Sequence, residues 1–254
     1  MKLSVILPTI RLNKIETFYN SFIKSYTGEF ELIVVSPFDY KPGVWSEKPC
    51  IWIKDFGSPL RAQQLGLTHT TGEYIHRSVD DSYYLPGSMD KCMNQLIDQD
   101  YKTLVNVKFI EGENVTHRDM ANPNFYNMEY HIQTLAAYTP FNYQVINFSI
   151  VSNKFIQELG GWDCQFETIA IGELDLSLRL QFMEAKVLLS DNIVVKCDWL
   201  PGVSGDHAPM HYGFFHDMEK YKRIYGSLEY EKKLIVDINN WKNSSEKWER
   251  RWGQ

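Results

Sequence analysis

Two short apolar runs constrain this chain more than anything else in it. Leu3-Ser4-Val5-Ile6-Leu7 stops abruptly at Pro8-Thr9, and Phe30-Glu31-Leu32-Ile33-Val34-Val35 follows and ends at Ser36-Pro37. Between them Ile15, Phe18, Tyr19, Phe22 and Ile23 recur at helical spacing. Runs this short and this continuously apolar are expected of strands buried on both faces, as in a parallel sheet. Strand, helix, strand in that order predicts the start of a doubly wound α/β sheet.

The remaining segments extend that pattern. Ile51-Trp52-Ile53 predicts a third strand, and Ser58 to Thr70 a helix entered through a serine cap and a first-turn proline. Thr71 to Val79 predicts a fourth strand ending on Asp80-Asp81, made unusually polar for a central position by His76 and Arg77. Leu85-Pro86-Gly87-Ser88 opens a helix through Met89, Met93, Leu96 and Ile97, and Thr103 to Ile110 is a further strand. Glu111 to Pro140, polar and rich in Asn and Tyr, reads as a surface insertion and a candidate acceptor-side lid. Val145 to Val151 predicts a strand, and Asn153 to Leu159 a short helix stopped by Gly160-Gly161. Val187-Leu188-Leu189 and Ile193-Val194-Val195 predict two short strands, and residues 200–216 a loop carrying His207, His211 and His216. Leu234, Ile238, Trp241, Trp248 and Trp252 fall on one helical face, with Lys242, Lys247, Arg250 and Arg251 beside it. The segment from Glu173 is ambiguous by pattern. Leu174, Leu176, Leu178, Leu180 and Phe182 alternate as in a strand, yet no β-branched residue occurs among them.

Composition narrows the class. A length of 254 residues and a hydrophobic share of 44% allow one large α/β domain with a sizeable core. A net charge of −6 argues against a nucleic-acid backbone as the main partner. Cys50, Cys92, Cys164 and Cys197 are scattered without CxxC spacing and read as free thiols of a reducing compartment. The first apolar run is too short for a signal peptide, and no stretch approaches the ~18 apolar residues of a membrane span, so the expectation is a cytoplasmic protein.

Two acidic clusters then stand out: Asp80-Asp81, and Glu173 with Asp175 just after Gly160-Gly161-Trp162-Asp163. Carboxylates at the ends of distant elements predict one crevice with two chemical jobs. Taken with Ser4-Val5-Ile6-Leu7-Pro8-Thr9, with Gly72-Glu73-Tyr74-Ile75, and with Glu173-x-Asp175-Leu176-Ser177-Leu178-Arg179-Leu180, these motifs resemble the family-2 glycosyltransferases of GT-A fold, over roughly the first two hundred residues. The resemblance implies a Rossmann-like, mostly parallel sheet flanked by helices, and it assigns the Glu173 segment to a helix. It implies a domain over residues 1–225, with a nucleotide-sugar half (1–100) and an acceptor half (101–225), followed by a helical tail at 226–254. It further implies transfer of a hexose or N-acetylhexosamine from a nucleotide-diphosphate sugar, with a UDP-sugar the first expectation, to an acceptor hydroxyl. Transfer would invert the anomeric centre and use Mn²⁺ or Mg²⁺. The acceptor could be a glycan, a lipid carrier or another molecule.

By the match, Asp81 is the metal ligand and Asp80 holds the ribose or sugar. Carboxylates after a parallel strand face the ligand crevice and suit a hard divalent ion bridging a diphosphate. Glu173 is the expected catalytic base, with Gly172 standing where the family usually has its first acid; Asp175 either shares that role or pairs with Arg179 one turn later. Pro8, Thr9 and Arg11 are expected near the nucleobase, together with Ser36 or Asp39, where the family often has an aspartate directly after the second strand. Arg61 reaches the diphosphate or is a helix-surface arginine, and Trp162 lines the sugar or acceptor pocket or packs in the core. His207 is assigned to the metal or diphosphate, or to a surface loop; a zinc site from the three histidines is the weaker idea. The tryptophan-rich tail packs on its own domain or a partner, and its basic flank also allows contact with a membrane surface. Two rivals remain. One is a GT-A module that binds nucleotide-sugar or glycan with little turnover, suggested by Gly172 and Ser36. The other, a nucleotidyltransferase, needs a glycine-rich phosphate loop that Pro8 to Leu12 does not supply.

Overall fold

The computed structural model describes residues 1–47, 49–111, 139–197, 208–227 and 234–248. Eight strands form one sheet: β1 (Leu3–Pro8), β2 (Phe30–Ser36), β3 (Cys50–Lys54), β4 (Tyr74–Arg77), β5 (Ser82–Tyr84), β6 (Thr103–Glu111), β7 (Ile150–Ser152) and β8 (Lys186–Cys197). Their spatial order is β3-β2-β1-β4-β7-β6-β8-β5. The β3-β2-β1-β4 half is parallel throughout; β7 then runs antiparallel to both β4 and β6. Among the described residues six α-helices accompany the sheet: α1 (Ile15–Ser25), α2 (Pro59–Leu67), α3 (Ser88–Asn94), α4 (Asn153–Glu158), α5 (Ile169–Phe182) and α6 (Ala208–Tyr225).

Strand alternation splits the core into two layers. Ile6, Ile33 and Val35 point to the side covered by α2, α4, α5 and α6, where Leu60, Phe155, Leu176 and Tyr221 meet them. Leu3, Val5, Leu7, Leu32 and Val34 point to the other side, against Phe18 and Phe22 of α1 and Met89 of α3. The same alternation directs β4. Ile75 faces the α5 side and His76 the α1 side, so Arg77 returns to the α5 side. Both polar residues are buried, with His76 at 0% and Arg77 at 5% exposure.

Several expectations change in detail. Between 145 and 151 only Ile150 and Val151 are in a strand. The preceding backbone is satisfied by side chains instead of a neighbouring strand: Ile146 N–H donates to Ser177 Oγ (2.8 Å) and Asn147 N–H to Asn106 Oδ1 (2.9 Å). The two strands expected after residue 186 are one long strand, β8, whose pairing with β6 slips around Lys108, where Ser190 Oγ takes the Lys108 N–H. The Glu173 segment is a helix, α5. Its alternating leucines are possible because the helix is buried on nearly every side, from Ile171 to Leu180. His211 and His216 lie on α6, not in a loop.

The tail is not the continuous amphipathic helix its tryptophans suggested. Within 234–248 there is one short 3₁₀ turn, Asn240–Asn243, and the segment lies on the domain through backbone and side-chain bonds. Val236 N–H donates to Leu159 O and Trp248 N–H to Phe56 O, each at 3.0 Å. Gln64, fully buried in α2, donates to Gly160 O and Ile238 O and accepts from Trp162 N–H. Residues 112–138 of the candidate lid, His207, and Trp252 with its neighbouring arginines lie outside the described residues. Among the described residues no helix is long and apolar enough to cross a membrane. No disulfide joins any of the four cysteines.

Candidate active site

The carboxyl ends of β1 and β4 meet at a buried cluster. Asp80 follows β4 and is 4% exposed. Its Oδ2 accepts Thr9 Oγ1–H (2.6 Å) and the Arg11 N–H (3.2 Å), while its Oδ1 accepts Arg11 Nε–H at 2.9 Å and Nη2–H. Asp80 therefore ties the β1 loop to the end of β4 and orients Arg11. Those bonds engage both of its oxygens, so a direct grip on ribose or sugar is not the role this geometry favours. Arg11 Nη2 also lies 3.3 Å from Asp81 Oδ2.

Glu173 reaches the same region from α5. Its carboxylate is 3% exposed, and its Oε1 receives both the Arg77 guanidinium, with Nε at 2.9 Å, and the Trp162 Nε1–H at 3.1 Å. Arg77 Nη1 donates to Asn147 Oδ1 (2.8 Å), and the guanidinium lies over the Phe148 ring at 5.3 Å. Arg77, Asn147, Phe148, Arg11 and Asp81 line one cavity of about 180 Å³, closed by Val79, Phe109 and Cys197. Asp81 and Arg77 line this cavity, and Glu173 stands behind Arg77, joined to it by the ion pair. Burial pushes the Glu173 carboxyl above its ordinary range, and Arg77 and the Trp162 hydrogen bond act against that rise. A larger concavity of about 510 Å³ lies at the opposite end of β4, along Gly72, Tyr101 and Lys154. Ligands of open α/β sheets bind at the carboxyl ends of the strands, so the smaller cavity is the one placed for chemistry.

Helix geometry separates the two acids of α5. Residues two apart lie about 200° around the axis, so Asp175 faces away from Glu173. It is 0% exposed, and its Oδ2 accepts Arg179 Nε–H (2.8 Å) while its Oδ1 accepts Tyr225 O–H (2.7 Å). Arg179 continues to the carbonyl of Gly161 at 2.6 Å and to that of Leu159 at 3.3 Å. Asp175 is thus a structural anchor, and the expected share in catalysis does not suit its position. The N-terminus of α5 has no cap from its own Thr168 side chain. Instead Asp217, on α6, accepts the N–H groups of Glu167 (2.8 Å) and Thr168 (2.7 Å) together with Thr168 Oγ1–H (2.9 Å).

Other expected residues fall elsewhere. Arg61 does not face the crevice: it is 2% exposed, pairs with Asp55 at 3.0 Å and stacks on Trp241, donating to Ser244 O at 3.0 Å and to Trp241 O. It holds the tail to α2. Trp162 is a buried strut that steers Glu173, at 1% exposure. Ser36 is buried and accepts its own turn's Phe38 N–H (3.3 Å), and Asp39 is surface-exposed and paired with Lys54 (2.6 Å). Pro8 ends β1 beside them. Gly172 has a packing reason: a Cβ there would lie 2.3 Å from Leu60 Cδ1, so a side chain at this position would have to displace the Leu60 side chain. Arg77 and Asn147 were missed, although an arginine in a strand otherwise fit for burial was a usable signal.

Asp81, with Asp80 behind it, offers hard carboxylate oxygens at the mouth of the crevice. Mg²⁺ and Mn²⁺ in phosphate chemistry take one or two carboxylates, with substrate phosphates and water completing the shell. The residues fit that requirement. Among the described residues no group of three or more His, Cys, Asp or Glu side chains could hold a metal unaided.

A mostly parallel sheet in this order, with acids at the carboxyl ends of its strands and a second acid on a buried helix, defines the GT-A architecture. Solved structures that it resembles include those of TarS of S. aureus. TarS 1-349 superposes with a TM-score of 0.58 at 17% identity, over 87% of this chain and 64% of that one. The same fragment with UDP-GlcNAc gives 0.59 at 17% identity over 87% and 65%, and with UDP 0.58 at 16% over the same shares. The chain spans 39% of the longer TarS structure. No protein-family model matches the chain, and no curated protein matches its sequence.

Proposed function

We propose that this protein is an inverting glycosyltransferase that moves a sugar from a nucleotide-diphosphate donor, with a UDP-hexose or UDP-N-acetylhexosamine as first candidate, to an acceptor hydroxyl. The observation that supports the reading is the cavity at the carboxyl ends of the strands, lined by Asp81 and by Arg77, whose guanidinium pairs with Glu173 behind it. The likeness in fold to a protein solved with UDP and with UDP-GlcNAc supports the donor class.

In this reading Thr9, Asp80 and Arg11 shape the donor end, and Asp81 holds Mn²⁺ or Mg²⁺. Such an ion, when bound, offsets the negative charge that develops on the departing diphosphate. Glu173 accepts the proton of the acceptor hydroxyl. The acceptor oxygen forms its bond to the anomeric carbon as the bond from that carbon to the diphosphate oxygen breaks. The bonding pair leaves with the nucleoside diphosphate, and the proton stays on Glu173. Burial suits this task, because a carboxyl whose affinity for protons is raised is a stronger base.

The close packing of Gly172 on Leu60 weakens the rival reading of a binding module. A glycine at 172 has a packing reason of its own, in the leucine side chain that lies against it. A panel of nucleotide sugars with Mn²⁺, assayed for released nucleoside diphosphate, tests the proposal. Glu173→Gln is expected to abolish release while leaving donor binding intact; sustained turnover in that variant would discard the assignment.

A further inference from the structure

We infer that Arg77 is a positioning residue for the base: with Trp162 it clamps one oxygen of Glu173 and holds the carboxylate so that its other oxygen is presented to the acceptor. The inference rests on the reading of Glu173 as the base and adds how that base is held.

Both contacts to Glu173 fall on Oε1, from Arg77 Nε at 2.9 Å and Trp162 Nε1 at 3.1 Å. Oε2 takes no hydrogen bond from the described residues. One hydrogen bond, from Trp162, and one ion pair, with Arg77, act on the same oxygen, which restricts the rotation of the carboxylate and leaves its second oxygen to other partners. The clamp itself is rigid. Arg77 is carried by a central strand, is 5% exposed, is tethered by Nη1 to Asn147 Oδ1 at 2.8 Å and is sandwiched against Phe148. Trp162 is pinned on its backbone by Gln64 and Asn240.

Charge points the same way. The groups around Glu173 are few: Arg77 from β4, the neutral Trp162 from the glycine turn, and on its own helix the Asp175–Arg179 pair, which turns away and neutralises itself. His76, next along β4, faces the opposite layer. Arg77 is therefore the one cation in contact with Glu173 among the described residues. A glutamate this deeply buried without it would carry its proton at neutral pH and could not accept another.

The experiment compares Arg77→Met, Arg77→Lys and Trp162→Phe with the parent and with Glu173→Gln. The readouts are kcat, donor KM and the pH profile of kcat, on protein whose fold is checked by circular dichroism. Arg77→Met is expected to lower kcat at pH 7 about 10- to 100-fold with little change in donor KM. Its acid limb should move up by about 1 to 3 pH units, the range an adjacent opposite charge commands. Arg77→Lys should restore part of the loss, and Trp162→Phe should lower kcat with a smaller move of the limb. A parent-like pH profile in Arg77→Met overturns the inference while leaving the glycosyltransferase reading intact, provided Glu173→Gln is inactive. An active Glu173→Gln removes the reading itself. Should Arg77→Met not fold, the carboxyl stretch assigned to Glu173 by infrared difference against Glu173→Gln decides the matter in Arg77→Lys. A protonation midpoint raised above the parent's sustains the clamp, and one matching the parent's rejects it.

Discussion

His76 makes the acid stability of this protein a quantitative test of the fold. Its ring is fully buried between β4 and α1, with Nδ1 at 3.0 Å from Ser149 O and Nε2 at 2.6 Å from the Tyr84 hydroxyl. A carbonyl only accepts, so Nδ1 carries the proton and Nε2 accepts from Tyr84, whose oxygen in turn accepts from Ser78 Oγ–H at 2.6 Å. The neutral ring is thus satisfied on both sides. Desolvation, reinforced by the neighbouring Arg77 charge, lowers its pKa from 6.5 to about 4. Below pH 6.5 the unfolded chain takes up a proton that the folded one refuses until pH 4. Stability is therefore full above 6.5 and drains as pH falls through that window. At 1.36 kcal/mol per pH unit the whole window amounts to about 3 kcal/mol, of which about 2.5 is gone by pH 4.5. Urea unfolding of the parent and His76→Gln at pH 7, 6, 5 and 4.5 isolates this share, because other titrating groups are common to both. The parent is expected to be the more stable at pH 7, and its advantage should shrink by about 2 kcal/mol or more on acidification. Parallel stability curves across the range would refute the reasoning.

Three further outcomes are expected. Gly160→Ala should cost at least ~1–3 kcal/mol from its left-handed backbone alone, since φ is +77°, and more because the new Cβ would lie 1.8 Å from Val236 O; thermal melts check this, and an unchanged midpoint contradicts it. Arg61→Met removes one half of a buried ion pair and the anchor of Trp241 and Ser244, so it should destabilise by about 3–5 kcal/mol and open residues 234–248 to limited proteolysis under conditions where the parent resists. Asp81→Asn should abolish any stimulation of donor binding by Mn²⁺ in calorimetry while leaving the melting temperature within a few degrees; retained stimulation would move the metal elsewhere.

The alternation of Val5, Ile6 and Leu7 already carried the parallel half of the sheet, because a strand packed on both faces needs no polar side. The bulge in β8 and the irregular path before Ile150 were not legible. In each, side chains distant in sequence, Ser190, Ser177 and Asn106, satisfy backbone groups that local pattern assigns to strand pairing. At the site, Asp81 and Glu173 came from motif order. What separated Glu173 from Asp175 was the i,i+4 spacing to Arg179, which could be read, and the Tyr225 hydroxyl, which could not. Arg61 misled because an arginine after a proline-capped turn looks alike whether it meets a phosphate or the chain's own C-terminal segment. The tryptophans at 241 and 248 misled similarly: their spacing matches a helical face, yet each is fixed singly, by Arg61 and by the Phe56 carbonyl.

The borrowed cap on α5 has a consequence for synthesis. The carboxylate that neutralises the start of the helix bearing Glu173 belongs to Asp217, more than forty positions nearer the C-terminus. A nascent chain still short of α6 can assemble the parallel strands and the donor-side loop, but the helix with the base begins on two uncompensated amides. On the proposed glycosyltransferase reading, donor affinity is expected to ripen on the ribosome before turnover does, so that a half-made chain would grip a sugar nucleotide without spending it.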